Sequence, residues 1–581
     1  MVKINTCYFE KNKGGLDDAR FYMAANSVIQ EAAGSMEKNI STSTYSFEKL
    51  REGGFVYVDK TKYIYSLIKP ETAQVFCARP RRFGKSLMIS TLEALFQGRR
   101  ALFHGLYIDT DPNVTYQWER YPVIHLNLAG CNAATPERLE AWLKNAVHKA
   151  SDEYDICVED NYAEIMFSNL IDKLVSKTGK RVVLLVDEYD KPLTDNIDNP
   201  IIDAIRSELE GFYGVIKAQE ENLRFTFLTG VTKFSQVSIF SKLNNLSDIS
   251  MDQSNAAMFG YTEEELQQYF QDRITEAVQN GVKDTDGNPL DDASFLSAVR
   301  SHYDGFCFYP GSEKVYNPVS IGKFFNGNCL FKNYWFETAT PSFLVELARK
   351  KPLYLTDTSH LIISDSGLSA FNIQDFQNPT FSRMQLIELL FQTGYLTIAG
   401  WAPNYGTADL FYQLRFPNDE VSLSFDRLLV RAYTGLDEGD SMVYVQRMIS
   451  SAFTGDTSQL IALLKTFFSG FSYNVDKPDE GHFQTIVYCI FKLCGMHVIP
   501  EETTNIGRID AVLHAGAHLY IIEFKFNQSA GKAVEQIEQK EYADKYILPA
   551  HENGQAVHLL GINFSIRDRN IIDDYQEVII T

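Results

Sequence analysis

The chain has 581 residues, 45% of them hydrophobic, with 54 Lys+Arg against 75 Asp+Glu, so that 54 − 75 = −21. At roughly 150 residues per domain this length predicts about three or four domains, and the ordinary hydrophobic content excludes wholesale disorder, collagen-like chains and disulfide scaffolds. So acidic a surface repels polyanions except where basic residues gather, and any nucleic-acid site has to be a local groove.

Residues 1–41 mix polar and small side chains around one short predicted helix near 19–33 and read as a leader. From 42 to 260 short apolar runs beginning at Val75, Val123, Val182 and Phe225 are separated by helix-length stretches. Buried runs of that kind predict parallel strands of a doubly wound α/β sheet. After Gly260 the pattern turns helical, opening on a capping box at Thr262-Glu-Glu-Glu265. This gives a helical unit over 261–345 and a helical connecting region over 346–470. The aromatic stretches Tyr303-Asp-Gly-Phe-Cys-Phe and Tyr334-Trp-Phe-Glu-Thr in these parts suggest no chemistry by themselves. Residues 471–581 predict a small α/β domain: helix 483–494, strand 509–513, a turn over 514–518, strand 519–526 and helix 533–546. The eight cysteines include no Cys-x-x-Cys pair, which argues for reduced thiols. With no apolar run of about 18 residues and no secretory signal, a cytoplasmic protein without membrane attachment is expected.

At the end of the first apolar run the chain reads Arg79-Pro-Arg-Arg-Phe-Gly-Lys-Ser86 and enters a predicted helix. Strand, loop, Gly-Lys-Ser and helix is the order a P-loop requires. Arg82, Phe83 and Gly84 would form the loop whose backbone N–H groups receive phosphates, Lys85 would reach the β- and γ-phosphates, and the Ser86 hydroxyl would ligate Mg²⁺. Arg79 stands where the pattern has its first glycine. About a hundred residues later Val183-Leu-Leu-Val186 runs into Asp187-Glu188. Asp187 would hold the Mg²⁺ shell and Glu188 would orient or deprotonate the attacking water. The run ending Thr229-Gly-Val-Thr232-Lys233 places hydroxyls, Thr229 first, where a γ-phosphate sensor would sit. The competing explanation is a solvated acidic turn and a threonine cap. Arg79, Arg81 and Arg82 could clamp a triphosphate bidentately, or pair with carboxylates such as Asp59 or Asp190.

In the last domain Gly507-Arg-Ile-Asp510 leads into one strand and Leu519-Tyr-Ile-Ile-Glu-Phe-Lys-Phe526 forms the next. Alternation puts Leu519, Ile521, Glu523 and Lys525 on one face and Tyr520, Ile522, Phe524 and Phe526 on the other. Asp510 and Glu523 could hold Mg²⁺ or Mn²⁺, with Lys525 activating the water that attacks a phosphodiester. A surface Glu-Lys pair on an edge strand is the alternative. Glu480 is a candidate additional carboxylate. Of the eleven histidines only His514 and His518 lie close in sequence, with no cysteine nearby, so a zinc enzyme is not expected.

Six segments together carry a family resemblance: Tyr45-Ser-Phe-Glu-Lys-Leu-Arg-Glu, Tyr57-Val-Asp-Lys-Thr61, Arg79 to Leu87, Val186-Asp-Glu-Tyr-Asp-Lys-Pro192, Leu228 to Ser235 and Leu243-Asn-Asn-Leu-Ser-Asp-Ile-Ser250. They resemble the AAA-ATPase-like family of prokaryotic proteins that carry a C-terminal PD-(D/E)XK nuclease-like domain. The resemblance runs from about residue 42 to the end, and arginine at the first P-loop glycine is the family's own pattern. It implies a P-loop ATPase core with a helical lid, then a restriction-endonuclease-like domain in which Asp510, Glu523 and Lys525 match the signature and Gln536 matches the glutamine many such nucleases place nearby. The expected function is ATP binding and hydrolysis gating a metal-dependent endonuclease that acts on nucleic acid. The rival is a regulatory ATPase whose nuclease-like domain binds nucleic acid or protein without cutting. Favouring the rival, the C-terminal 111 residues hold nine Lys+Arg and sixteen Asp+Glu, 9 − 16 = −7. AAA-type ATPases often complete their site with a neighbour's arginine, so a homo-oligomer is possible, with Arg206 among several candidates.

Overall fold

A strand covered on both faces is apolar throughout, and the runs at 182–187 and 223–230 are buried at every position. A computed structural model describes residues 38–70, 73–197, 199–233, 246–284, 287–335, 361–364, 368, 383–403, 410–434, 438–469, 486–491, 497–503, 508–565, 567–568 and 570–580. The predicted leader helix, Glu480 and Gly507 lie outside the described residues.

The first sheet contains β1 (Ala73–Ala78), β2 (Val123–Asn127), β3 (Val182–Asp187), β4 (Leu223–Gly230) and β5 (Ser247–Asp248) in the order β2-β3-β4-β1-β5, all parallel. The four predicted strands are present, and the short β5 adds an edge. Helices Pro136–Asp152, Ala163–Thr178 and Ile202–Ala218 pack together, with Phe167 stacked on Phe212 at 4.7 Å. Thr135 caps the first of these and Gly179, at φ 65°, ends the second. Register brings four strand ends together: Ala78 pairs with Gly230, Cys77 with Thr229, Val186 with Leu228 and Asn127 with Asp187. The nucleotide motifs, scattered over about 150 residues, therefore meet at one edge of one sheet.

The helical unit begins as predicted, with Thr262 and Glu265 forming a reciprocal capping box on helix Glu263–Gln279. It packs with helices Asp292–Tyr303 and Pro318–Asn326 around Leu266, Phe270, Phe295, Val299 and Phe324. The connecting region is not helical throughout. Alongside helices Arg383–Gln392, Asp419–Thr434, Glu438–Phe453 and Thr457–Ser469 it holds a three-stranded antiparallel sheet, β6 (Leu361–Ser364), β7 (Thr397–Pro403) and β8 (Leu410–Arg415), ordered β6-β8-β7.

The last sheet is ordered β13-β12-β11-β10-β9, from β9 (His497–Thr503), β10 (Arg508–Ala515), β11 (His518–Phe526), β12 (Ala556–Ser565) and β13 (Asn570–Ile580). Only β11 and β12 run parallel, and the crossover between them carries helices Ala530–Gln539 and Asp544–Glu552 where one helix over 533–546 is predicted. Residues 540–543 break it, with Glu541 at φ 47°. The alternation expected along β11 holds. Leu519 and Ile521 pack with Ile537 of the crossover helix, while Tyr520, Ile522 and Phe524 join the main core on the opposite face.

Candidate active sites

At the first sheet's edge Gly84 adopts φ 88°, ψ 17° and starts helix Lys85–Phe96. A Cβ there would meet nothing within 4 Å, so the backbone conformation, not space, requires glycine. Lys85 is 7% exposed and its Nζ donates to the carbonyls of Arg79 at 2.8 Å and Pro80 at 2.9 Å. Burial pulls its ammonium below the usual lysine range, opposed by Asp187, Asp190 and Glu188. Ser86 occupies the first helical turn.

Asp187, at the end of β3, is 1% exposed, and neither carboxylate oxygen has a hydrogen-bond partner among the described residues. Glu188 follows at φ 52°, a left-handed conformation rare for a side-chain-bearing residue. Burial first, then the neighbouring Asp187, pushes its carboxyl above the usual range.

The other predicted residues sort differently. Arg79 is 1% exposed and does not face the phosphate loop's solvent side. Its Nη1 donates to the carbonyls of Ala78 and Ser250 at 3.0 and 2.6 Å, its Nη2 donates to Asn255 O at 3.3 Å, and its guanidinium lies 4.1 Å from the Phe308 ring centre. The carboxylates expected as alternative partners are engaged elsewhere. Asp59 accepts from the Thr61 and Tyr107 amides, and Asp190 accepts from Val231 N, Thr232 N and Thr232 Oγ1 at 3.0, 2.7 and 2.6 Å. Phe83 is 1% exposed and meets Phe306 and Phe308 edge-on, so its ring is a packing element and only its backbone remains for a ligand. Phe306 and Phe308 of the aromatic stretch at 303–308 thus seat the loop that carries Phe83. Thr229 is fully buried and donates its hydroxyl to Cys77 O at 2.8 Å, joining β4 to β1. Arg206 pairs with Asp203 and Glu210 of its own helix.

Beside Gly84 opens a cleft walled by Tyr45, Tyr57, Lys60, Arg82, Leu87 and Tyr261 among others. Lys60, which precedes helix Thr61–Ile68, is tied to Glu265 of the helical unit at 2.6 Å and to Ala257 O at 2.8 Å. Tyr45 and Lys60 lie in Tyr45-Ser-Phe-Glu and Tyr57-Val-Asp-Lys, where their residue types alone point to no role.

In the second site the β10–β11 register, Ala511 opposite Ile522, sets Asp510 level with Glu523, and Asp510 Oδ2 accepts from Phe524 N at 2.8 Å. Glu523 is 3% exposed. Its Oε1 accepts from Lys525 Nζ at 3.1 Å and from Gln536 Nε2, while its Oε2 has no partner among the described residues. Lys525 Nζ also donates to Gln536 Oε1 at 2.7 Å. Burial, then the Asp510 carboxylate, raises Glu523 to about 7. The four residues predicted here are thus brought together. His518, in contrast, pairs with His558 at 2.9 Å and not with His514, and His558 in turn meets Glu577 at 2.6 Å. Among the described residues no group of three or more His, Cys, Asp or Glu side chains forms a ready metal cage. A cation at either carboxylate site would complete its shell with water and phosphate oxygens, as Mg²⁺ commonly does.

Residues 41–240 match the family model described as a predicted AAA-ATPase of the AAA-ATPase-like type, and residues 478–574 match that of the PD-(D/E)XK nuclease superfamily. An uncharacterized protein from the vnfD 5′ region of Azotobacter chroococcum mcd 1 is 34% identical over 545 residues, covering 92% of this chain and 98% of that protein. Among solved structures, Drosophila ORC bound to GC-rich DNA and Cdc6 aligns over 84% of this chain and 81% of that one at 10% identity, with a TM-score of 0.24. Drosophila ORC bound to poly(dA/dT) DNA and Cdc6 aligns over 94% and 72% at 9% identity, also at 0.24. Likeness at that level carries no argument.

Proposed function

The chain belongs to the AAA-ATPase-like family with a C-terminal PD-(D/E)XK nuclease superfamily domain, and from that membership we propose that it binds and hydrolyses ATP to control metal-dependent cleavage of nucleic acid. One observation carries the reading. Each site holds a buried carboxylate with oxygens that no described group satisfies, both of Asp187 and Oε2 of Glu523. An unpaired buried polar atom costs folding free energy, more so when charged. A divalent cation is the ligand that repays it. Ser86 and Asp187 would hold Mg²⁺ in the first site, and Asp510 and Glu523 would hold Mg²⁺ or Mn²⁺ in the second. Bound there, the metal neutralises charge developing on phosphate oxygens and, in the second site, lowers the pKa of a water.

The chain's own groups supply the remainder. Helix Lys85–Phe96 presents its N-terminus to the phosphates through the Gly84 turn, and Lys85 exchanges two loop carbonyls for phosphate oxygens. Glu188, with its raised proton affinity, orients and deprotonates the attacking water. The cleft beside Gly84 takes the nucleoside. In the second site Lys525, held by Gln536, stands beside Glu523 to orient water toward a phosphodiester.

The net charge of −7 over residues 471–581 favours the second reading, a regulatory ATPase whose nuclease-like domain binds without cutting. Incubating the protein with plasmid and single-stranded substrates, with Mg²⁺ or Mn²⁺, with and without ATP, separates the two. Cutting that requires Asp510 establishes the nuclease. No cutting under any condition, together with no metal-induced thermal shift that Asp510→Asn removes, leaves the regulatory ATPase.

A further inference from the structure

Four consecutive residues of the connecting region, Gln392 to Tyr395, reach the nucleotide site at three points. Helix Arg383–Gln392 ends on Gln392, 8% exposed, whose Oε1 accepts from Lys233 N at 2.8 Å. A backbone N–H can only donate, so the side-chain oxygen is the atom that faces it, and Gln392 Nε2 turns back to Glu388 Oε1 at 3.3 Å. At Gly394, φ 88°, a Cβ would come within 2.6 Å of Pro80 Cβ, so the backbone of the turn lies directly against the phosphate loop. Tyr395 is fully buried, and its hydroxyl has no hydrogen-bond partner among the described residues. The charge of Arg81 acts on it, as it does on Glu188 and Lys85.

Each point is one that a bound nucleotide would disturb. Asp190, two residues beyond Glu188, grips Val231 N, Thr232 N and Thr232 Oγ1, and Lys233 follows at once, so this segment is strung between the carboxylate strand and Gln392. Pro80 O is one of the two carbonyls that Lys85 gives up on turning to phosphate. On its other side the turn runs into the body of the connecting region. The Tyr395 ring meets Trp335 and Phe425 at 4.9 and 5.5 Å, and Thr397 Oγ1 bonds both the N and the O of Cys307. The last two helices of that region reach the nuclease-like domain, where Tyr520 donates to Ala452 O at 2.9 Å and Thr457 donates to Glu577 at 2.5 Å. A buried amide's need for an acceptor would by itself account for Gln392. It does not account for Tyr395, because a buried hydroxyl without a partner costs stability that phenylalanine would spare.

Resting on the ATP-binding reading above, we propose that the turn Gln392–Tyr395 reads the occupancy of the nucleotide site and passes it through the connecting helices toward the nuclease-like domain. Gln392 and Tyr395 are positioning residues that touch no nucleotide. When Lys85 leaves Pro80 O for phosphate and the segment from Asp190 to Lys233 adjusts, Gln392 carries the shift into its helix and the Tyr395 hydroxyl gains the partner it lacks.

Amide hydrogen exchange of the full chain, with and without a non-hydrolysable ATP analogue and Mg²⁺, tests this. In the wild type the analogue should slow exchange severalfold in the phosphate loop and also across residues 383–403 and helices Glu438–Phe453 and Thr457–Ser469. Tyr395→Phe and the similarly sized Gln392→Met should bind the analogue about as tightly as the wild type in titration calorimetry. Both should keep the protection of the phosphate loop and lose that of the connecting helices. Tyr395→Phe should melt at or above the wild-type temperature, since it removes a hydroxyl without a partner among the described residues. Its loss of transmission is then no loss of folding, and it decides the question alone if Gln392→Met unfolds. Protection of the connecting helices that persists in either folded variant overturns the proposal. So does its absence from the wild type while the phosphate loop is protected, and in both cases the nucleotide site stands. An analogue that protects nothing, the phosphate loop included, brings down the nucleotide-site reading and the proposal with it.

Discussion

The two carboxylate sites solve the same electrostatic problem in opposite ways. Asp187 ends a strand buried on both faces, has both oxygens unpartnered among the described residues, and faces the charge of Lys85, whose ammonium is turned onto loop carbonyls. Glu523 lies among donors that satisfy one oxygen, and its carboxyl is raised to about 7. The first site leaves both carboxylate oxygens without a partner among the described residues. The second can rest by taking up a proton.

The sharpest break in this comparison is Lys85→Ala, which should abolish ATP hydrolysis, a loss on the order of 10³-fold or more by analogy with other phosphate-charge stabilisers, and weaken binding. Residual turnover near wild type in a phosphate-release assay would remove Lys85 from the site. Glu188→Gln should lower kcat by about 10²–10⁴-fold, the usual range for a lost general base, and leave ATP bound. Equal losses in binding and turnover would mark Glu188 as structural.

For the second site, Asp510→Asn and Glu523→Gln should remove cleavage while leaving the metal-free protein as stable as before or slightly more so, since two neighbouring carboxylates repel. Lys525→Ala should slow cleavage and keep most of the metal affinity. Thermal melts with and without Mg²⁺ read both effects.

The raised Glu523 carboxyl predicts a pH dependence. Glu523 binds its proton more tightly folded than unfolded, so its contribution to stability is complete below the ordinary carboxylate range and is lost as pH rises through about 7. Metal-free protein should therefore lose stability between about pH 5 and 8 by a component that Glu523→Gln abolishes, and saturating Mg²⁺ should reduce the loss. An unchanged pH profile in Glu523→Gln would refute this.

The smallest expected effects concern the strand ends. A Cβ on Gly230 would come within 2.4 Å of Asp190 Oδ1 and 2.7 Å of the Tyr189 ring, so Gly230→Ala should cost about 1–3 kcal/mol by overpacking. Thr229→Val deprives Cys77 O of a donor and should cost about 1 kcal/mol. If its kcat also falls sharply while stability holds, Thr229 acts on phosphate despite its burial.

Sequence alone determined the features whose chemistry is contiguous. The Gly84-Lys85-Ser86 turn, the apolar strand ending in Asp187-Glu188, the Thr262 capping box and the alternation along β11 each follow from backbone geometry over a few residues, and each is legible because period and neighbour identity dictate it. The pairing of Asp510 with Glu523 was nearly as legible, since a short turn fixes a hairpin's register. Tertiary structure alone decided where side chains end up when their partners are far along the chain. Arg79 is a cation beside a phosphate loop in sequence, yet it is held by carbonyls some 170 residues away and by the Phe308 ring. His518 finds His558 across two parallel strands, and Phe83 finds a socket made by another unit. Burial explains the division: a long side chain can serve a ligand or a distant backbone, and the choice depends on which unsatisfied groups the packed fold places within its reach.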